Sequence, residues 1–442
     1  MIHTSMPHLR PVACALALAM ACTAALAVAP ATARAQTGDT LHLAVLQRAA
    51  QARDPRTAQA RLLNEQSRLR LDNLRAERLP TLALNGQAQH QSDVTSVPFP
   101  GAIAPYRETY DANLAARVRL FDPSLAPRRE AERAQFAESE ARVEVALYAQ
   151  RQLVNDAFFT ALLLQGQGAV LQQGIDDLEA QLKLAKERVS AGAALPSEAA
   201  IVEAELLRRR QSLDETDAGR RVALAVLGDL SGLAFMGDEP LAVPATESAV
   251  TSMRASIDSL RTRPEYAQFE RSRALIDARR ATVAAQQQVR VAAFGRTGYG
   301  RPGLNQLARE FDGYWLAGVQ VEWSPFDWGT VRREREALAL QQQVLTTEES
   351  AFAERLRRST LADVTAVDRL TRALATDDAI IALRVRVLDE TRLRVREGVV
   401  VSAEYIDRET DLTAARLARA THVVELAQAR ARFLNTVGLE VR

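Results

Sequence analysis

Cysteine is almost absent from this chain of 442 residues, and its two cysteines, Cys14 and Cys22, both precede residue 36. The first 35 residues read as a secretory signal peptide, because an apolar run over residues 11–29 is followed by the A-x-A cleavage site Ala33-Arg34-Ala35. Cleavage before Gln36 leaves a mature chain without thiols. This excludes disulfides, thiol redox chemistry and cysteine-based metal sites.

Two alternatives to cleavage stay open. The apolar run approaches the roughly 18 residues that a membrane-spanning helix needs, so the segment could remain as an uncleaved inner-membrane anchor. Acylation of Cys22 is the other alternative, although Ala19-Met20-Ala21 before it matches a lipoprotein signal poorly.

Aromatic residues and glycine are also scarce. Aromatic residues make up 5% of the chain and glycines number 20, whereas Ala, Leu, Arg, Gln and Glu dominate. This usage is typical of long helices rather than of β-sandwiches or doubly wound sheets, so we expect a mainly α fold class. The formal charge of +1 argues against a general nucleic-acid binder.

Catalytic motifs are missing as well. The G-x-G-x-x-G pattern at residues 298–303 contains Pro302 and lies in a predicted hairpin, whereas a dinucleotide site needs a helix to begin there. His42, His90 and His422 are the histidines beyond the signal segment, and they neither cluster nor form H-E-x-x-H. We therefore expect no enzyme activity, no cofactor and no metal.

The sequence contains one unit twice. Asp54-Pro55 recurs as Arg263-Pro264, and Phe121-Asp122 recurs as Phe326-Asp327, at separations of 264 − 55 = 209 and 326 − 121 = 205 positions. Seven further residues recur 206 positions later: Arg188, Gly192, Glu198, Glu203, Leu206, Gly232 and Leu233 match Arg394, Gly398, Glu404, Glu409, Leu412, Gly438 and Leu439.

We predict a first repeat over residues 36–240 and a second over residues 241–442, each with a helix, a β-hairpin and a long helix pair. Residues 128–190 and 331–396 are free of proline and have apolar residues at helical spacing. Helices of this length extend on the order of 100 Å. They need lateral partners throughout, so antiparallel coiled-coil-like pairs are expected.

The two hairpins are predicted at about residues 80–121 and 289–323. Trp315 and Trp323 lie at the two ends of an apolar strand face, where membrane β-barrels place aromatic girdles. The period of two that defines the apolar faces is carried by Ala112, Leu114, Ala116, Val118 and Leu120, and by Trp315, Ala317, Val319, Val321 and Trp323.

Loops rich in proline and glycine, at residues 97–101 and 300–303, are predicted to close these hairpins. A soluble sheet packed on the helices stays open as an alternative. As membrane strands, four per chain cannot close a barrel, because about eight strands are the fewest seen and lipid tolerates no open edge. The membrane interpretation therefore requires an oligomer, whose number the residues alone do not determine.

Together these features resemble the TolC-like outer membrane efflux protein family over residues 41–439. The family is a tandem duplication with an Asn/Asp-Pro early in each half, a Leu-Pro before the first strand, a Phe-Asp ending the second strand and an R-x-x-x-G turn between long helices. This chain has Asp54-Pro55, Leu79-Pro80, Phe121-Asp122, Phe326-Asp327, and turns from Arg188 to Gly192 and from Arg394 to Gly398.

The resemblance implies a homotrimer with a 12-stranded barrel in the outer-membrane lipid and a long α-helical barrel in the periplasm. It implies a passive channel of a tripartite efflux or secretion system, in which a periplasmic adaptor connects the channel to an inner-membrane transporter. A periplasmic adaptor or coiled-coil scaffold is the alternative function. The sequence does not identify the cargo, because drugs, metal ions and polypeptides use similar ducts.

The resemblance also places the turns at Gly192 and Gly398 at the periplasmic tip. Glu404 and Asp407 fall on the positions of an aspartate pair that constricts the family's best-known member, and three residues apart they share one helix face. Three chains would thus present two carboxylate rings that favour cations. The alternative is a solvated helix face, with Glu198 in the first copy only capping its own turn.

Two further features of the tip follow from the resemblance. The best-known member latches its closed state with a tyrosine and an arginine, whereas Val395 and Val400 occupy those positions here, which leaves the latch in doubt. The two R-x-x-x-G turns, which start at Arg188 and Arg394, are the candidate docking points for the adaptor.

Overall fold

The computed structural model of the protein describes residues 40–94, 106–254, 261–305 and 309–441. The predicted signal peptide and the predicted loop at residues 97–101 lie outside the described residues. The elements are α1 (Leu43–Arg53), α2 (Arg56–Ala76), β1 (Thr81–His90), β2 (Glu108–Phe121), α3 (Leu125–Ser190), α4 (Pro196–Ser231), α5 (Glu247–Arg254), α6 (Pro264–Ala284), β3 (Arg290–Arg301), β4 (Asp312–Glu322), α7 (Thr330–Arg396) and α8 (Ser402–Thr436).

These elements follow the same order twice: two shorter helices, a hairpin, a very long helix and a second long helix. The first long helix has 66 residues in α3 and 67 in α7, and the second has 36 in α4 and 35 in α8. This agreement in length explains why residues of the two sequence copies keep a nearly constant spacing. The boundary between the repeats at residue 240 stays a prediction.

The long helices pack in two pairs, α3 along α4 and α7 along α8, and contacts between α3 and α8 join the pairs. Near the turns that connect the paired helices, a buried apolar cluster includes Leu178, Val202, Leu388 and Leu412, so all four helices contribute to it. None of the helices in the described ranges combines the length and the apolar character needed to cross a bilayer.

The largest core lies midway along the long helices, where α1 packs on α3 and α4. Phe158 and Phe159 of α3 are buried there in edge-to-face contact, with ring centroids 5.4 Å apart. The segment before α1 joins this core, because the Leu41 N–H donates to the Pro240 carbonyl at 2.8 Å and Leu41 forms a parallel bridge with Leu241. Helices too long to form a compact core alone are thus held together at their middle.

The four strands form one antiparallel sheet in the order β1-β2-β3-β4, so β1 and β4 are its two edges. The second strand pair extends further than the sequence predicted, because Gly300 pairs with Asp111 on one side and with Asp312 on the other. The predicted loop at residues 300–303 therefore begins after Arg301. The absence of a Cβ suits Gly300, since an added Cβ would lie 2.8 Å from the Tyr110 carbonyl.

The sheet has two chemically different faces. On the polar face, Asn85 donates to Asn113 at 3.1 Å, and Arg117 and Gln320 are hydrogen-bonded across strands. On the other face Leu84 is 84% exposed and Trp315 is 76% exposed, which is unusual for residues of this size in a folded protein. Other exposed residues of this apolar face include Leu82, Leu114, Leu120, Tyr299, Val319 and Val321.

Charge placement tests whether the apolar face meets lipid. Leu84→Arg puts a guanidinium in the middle of this face, whereas Ala83→Arg puts it on the polar face of the same strand. A cation at the middle of a lipid-facing strand costs roughly 2–4 kcal/mol, so L84R should strongly reduce recovery in the outer-membrane fraction and A83R should not. Equal recovery of the two variants, or wild-type protein in the soluble periplasm, would contradict a lipid-facing sheet.

Candidate functional site: the paired helix turns

Each helix pair is connected by a tight turn around a glycine. Gly192 and Gly398 have φ values of +69° and +77°, a region that glycine adopts without steric cost. In the first turn the Ala193 N–H donates to the Arg188 carbonyl at 2.8 Å, and the corresponding bond of the second turn is 2.9 Å. The R-x-x-x-G pattern is therefore a helix C-terminal motif that satisfies the last carbonyl groups.

The first turn is bonded to the second by an arginine. Arg188 donates from Nη1 to the Val395 carbonyl at 2.7 Å, in the last turn of α7. Unpaired carbonyl groups at a helix C-terminus favour such a cation. Arg394, which occupies the same place in the second repeat, is exposed and forms no ion pair with the described part of the chain.

A carboxylate makes the second link between the turns. Glu198, in the first turn of α4, accepts hydrogen bonds from Ser402 Oγ at 2.9 Å and from the Ser402 N–H at 3.4 Å. Ser402 is buried and begins α8. Glu198 therefore contacts the N-terminus of the neighbouring helix, where its negative charge is favourable, rather than capping its own turn.

A third link between the helix pairs starts from Arg392, about one helical turn before Val395 in α7. Arg392 of α7 lies 3.8 Å from Asp177 of α3 and donates to the Tyr405 hydroxyl of α8 at 3.4 Å. Burial raises the pKa of Tyr405, so its hydroxyl stays protonated. The three links join the α7–α8 pair to the α3–α4 pair near the turns. Val395 and Val400, which stand at the two latch positions that the resemblance indicated, pack in the apolar cluster beside these links.

Glu404 and Asp407 lie in the first two turns of α8. Glu404 is partly buried and Asp407 is exposed, and neither forms an ion pair within the described part of the chain. Their counterparts in the first repeat are Glu198, which is bonded to Ser402, and Ile201, which is exposed. The two repeats therefore differ in their carboxylates at the tip.

Farther from the turns, charged side chains are buried between α3, α4 and α8. Arg209 donates to Glu205 and to Glu409, both at 3.0 Å, and Thr413 donates to Glu409 at 2.6 Å. All four are buried. Gly174 of α3 leaves the space for them, because a Cβ there would lie 3.2 Å from the Glu409 carboxylate.

The two carboxyls of this buried cluster respond differently to their surroundings. Burial raises the pKa of Glu409, and the Thr413 hydrogen bond and the Arg209 charge offset this only in part. Burial also acts on Glu205, but hydrogen bonds from Arg208 and Arg209 outweigh it and lower the pKa. Arg209 thus contacts both carboxylates, but the pKa of Glu205 is lowered whereas that of Glu409 is raised.

The sequence analysis did not identify this cluster or the role of Ser402. One signal was present: Val202, Leu206 and Arg209 follow the spacing of an apolar coiled-coil seam, as do Tyr405, Glu409 and Leu412. A charged residue at a seam position indicates a buried ion pair when a second helix supplies the opposite charge. That pairing across about 200 residues is not visible in the sequence.

Comparisons with known proteins bear on the architecture. No family model and no curated protein sequence matches the chain. Among solved structures, CusC matches with a TM-score of 0.69 at 15% identity, covering 90% of this chain and 92% of the other. The outer membrane protein VceC of Vibrio cholerae matches with a TM-score of 0.66 at 14% identity, covering 90% and 97%.

The MtrE outer membrane channel of Neisseria gonorrhoeae, solved in its open state, matches with a TM-score of 0.64 at 19% identity, covering 90% of this chain and 89% of the other. The chain has the TolC-like fold. The expected fold class, long helices joined to four strands that each chain of a TolC-like protein contributes to a barrel, is confirmed. In this fold the paired turns lie at the end of the helices opposite the sheet.

The raised pKa of Glu409 predicts a pH dependence. The folded protein holds the Glu409 proton at pH values just above the ordinary 4.5, where the unfolded chain has lost it, so this group favours folding less as the pH rises through that window. Glu409→Gln removes the effect. Thermal unfolding, followed by circular dichroism, should show wild type gaining stability relative to E409Q as the pH falls toward 4.5.

Glu203→Gln is the control, because it removes a half-exposed carboxyl at the repeat-equivalent position. A stability difference between wild type and E409Q that is constant with pH, or that grows in the opposite direction, would contradict the assignment.

Proposed function

We propose that this protein is the outer-membrane channel of a tripartite efflux or secretion system, a passive duct across the periplasm. The observation that supports this most is the exposed apolar face of the sheet, attached to helices about 100 Å long. CusC is described as forming a transmembrane channel and MtrE as an outer membrane channel, which favours the same role here.

Exposed aromatic residues are consistent with a membrane position for the sheet. Trp315 and Tyr299 lie near the loop end of the strands, whereas Trp323, Phe326 and Trp328 lie at the end where the helices begin. Two such levels separated by aliphatic residues correspond to the aromatic girdles at the two surfaces of a bilayer. The predicted girdle residues Trp315 and Trp323 thus belong to opposite levels.

The proposed assembly is a homotrimer. β1 and β4 leave their outer edges unpaired among the residues that the structure describes, and pairing β4 of one chain with β1 of the next would continue the sheet. Three chains of four strands give twelve, enough to close a barrel and remove every edge. The helix pairs of three chains then surround a periplasmic conduit.

The proposed constriction lies at Glu404 and Asp407. The links from Arg188 and Glu198 hold the α7–α8 turn against the α3–α4 turn. The two carboxylates near the start of α8 form no ion pair with any residue that the structure describes. Rings of three glutamates and three aspartates would narrow the conduit and attract cations. Release of the links would let α7 and α8 move outward and open it.

Removing both rings should widen the constriction. Glu404→Ala with Asp407→Ala should raise single-channel conductance in planar bilayers and lower the preference for cations, because six carboxylates leave the narrowest part of the conduit. Glu390→Ala with Glu397→Ala is the matched control, since it removes the same charge from exposed positions in the last turns of α7 and directly after it, near the same turn. If both double variants behave like wild type, the two carboxylates do not form the constriction.

The proposed coupling to a pump uses a periplasmic adaptor and an inner-membrane transporter. Of the docking candidates, Arg188 is bonded inside the chain, whereas Arg394, Gly192 and Gly398 are exposed on the turns. Beside the first turn, α3 and α4 enclose a groove of about 580 Å³. Its lining combines apolar and charged side chains: Leu182, Lys183, Lys186, Glu203, Leu207 and Arg210.

Single cysteines can locate the adaptor, because the predicted mature chain has none. Leu207→Cys in the groove should form a crosslink to the adaptor in the native host through a thiol-reactive photocrosslinker, since Leu207 is 60% exposed there. Leu62→Cys on α2, 57% exposed and outside the groove, is the control. Mass spectrometry of the adduct identifies the partner; equal labelling from both positions would argue against docking in the groove.

A further inference from the structure

Aromatic rings surround an arginine at the loop end of the sheet. The Arg301 guanidinium lies 4.5 Å from the ring centre of Tyr106, 5.4 Å from that of Tyr110 and 5.2 Å from that of Phe311. The Arg309 guanidinium lies 4.7 Å from the ring centre of Tyr106, so both arginines contact this ring. Two cations are thus held on one aromatic platform.

The platform belongs to the apolar face of the sheet. Arg301 pairs with Tyr110 in the strand register, and both lie on the face that carries Tyr299 and Trp315. Tyr299 stacks on Phe311 with ring centres 5.8 Å apart. Arg301 therefore lies just beyond the aromatic level that marks the membrane surface, at the end of the sheet farthest from the helices.

These two arginines are not neutralised within the described part of the chain. Neither has a carboxylate within ion-pair distance, and Arg301 Nε is shielded from solvent without a hydrogen-bond partner. The carboxylate of β2 next to Tyr110 on this face, Glu108, lies 3.1 Å from His90 instead. Most other arginines of the strands have polar partners, as Arg119 does with Glu77 and Arg290 does with Glu322.

Planar guanidinium groups whose faces stack on aromatic rings bind phosphate oxygens well, because their N–H donors lie in the plane of the group and are not covered by the stacking. At the surface of a bilayer, unpaired cations beside aromatic rings meet lipid headgroups. The outer leaflet of an outer membrane carries phosphorylated glycolipid. The unpaired charges of the two arginines, their stacked guanidinium groups and their position at the proposed membrane surface all favour a phosphorylated lipid headgroup as the ligand.

We propose that Arg301 and Arg309, on the platform of Tyr106, Tyr110 and Phe311, bind the phosphate of an outer-leaflet glycolipid headgroup. The proposal rests on the proposed outer-membrane position of the sheet. Each chain contributes one site, so a trimer anchors three glycolipids around the exit of the channel. The site lies outside the barrel and does not restrict the conduit.

The test measures binding of bisphosphorylated lipid A to the purified full-length protein in detergent, by native mass spectrometry. Wild type should retain lipid A, and Arg301→Gln with Arg309→Gln should lower the affinity at least about tenfold, because two charge-assisted contacts are lost. Arg309→Gln alone changes an exposed residue outside the strands and gives a smaller loss without risk to folding. Arg301→Lys keeps the positive charge but loses the planar guanidinium. The affinity of R301K for lipid A should therefore lie between that of wild type and that of the double variant.

Arg296→Gln is the matched control. Arg296 lies in the same strand, 5.4 Å from the ring centre of Tyr314, but on the polar face. R296Q should bind lipid A like wild type. If R296Q weakens lipid A binding as much as the double variant does, the binding depends on the general positive charge of the sheet and the proposed site is wrong.

Three ligands complete the test. Dephosphorylated lipid A and phosphatidylcholine should bind weakly and equally to wild type and to the double variant. Equal retention of phosphorylated and dephosphorylated lipid A by wild type overturns phosphate recognition. If inorganic phosphate at the same concentration displaces lipid A from wild type, the site binds free phosphate and the proposal of a lipid ligand is wrong.

Channel conductance separates this proposal from the function on which it rests. If the double variant inserts and conducts like wild type but loses lipid A, both stand. If wild type conducts but lipid A binding does not depend on the arginines, only the headgroup site fails. If wild type neither inserts nor conducts, the channel function itself fails.

Discussion

A helix of more than 60 residues cannot bury its own apolar side chains, and the arrangement of the helices and of both turns depends on that constraint. Along about 100 Å its apolar stripe must be covered continuously by other helices. The chain covers it by pairing α3 with α4 and α7 with α8, and by packing α1 across the middle. Because the two pairs have nearly equal lengths, both glycine turns arrive at the same end and can be bonded to each other.

The sheet is subject to a different constraint, that of unpaired edges. A four-stranded sheet with one apolar face exposed and two edges open is not stable in water or in lipid by itself. In the proposed trimer, pairing between chains would remove the edges and turn the apolar face outward in one step. The same association would bring the helix pairs of different chains side by side, so barrel closure and conduit formation would be one event rather than two.

The sequence predicted the order of elements, the hairpins and the placement of the turns, because each rests on local signals. Proline at helix starts, glycine at positive φ and strand alternation act within a few residues. It did not predict that Glu198 bonds to Ser402 or that Arg209 bonds to Glu409, since partners about 200 residues apart meet only after two helix pairs align. It also placed the end of β3 too early, because the pairing of Gly300 depends on both neighbouring strands.

The duplication bears on why some charged side chains at the tip have no ion-pair partner in the described part of one chain. Within the chain, Arg188 and Glu198 of the first repeat bond to the second repeat, whereas Arg394 and Glu404 at the equivalent positions have no ion-pair partner in the described ranges. In a ring of duplicated chains, the second repeat of each chain adjoins the first repeat of the next. In the proposed trimer, the free arginine and carboxylate would therefore lie at the contacts between chains or toward the conduit. The asymmetry between the copies follows from sequence divergence, and the alternation of bonded and free tips would follow from the proposed assembly.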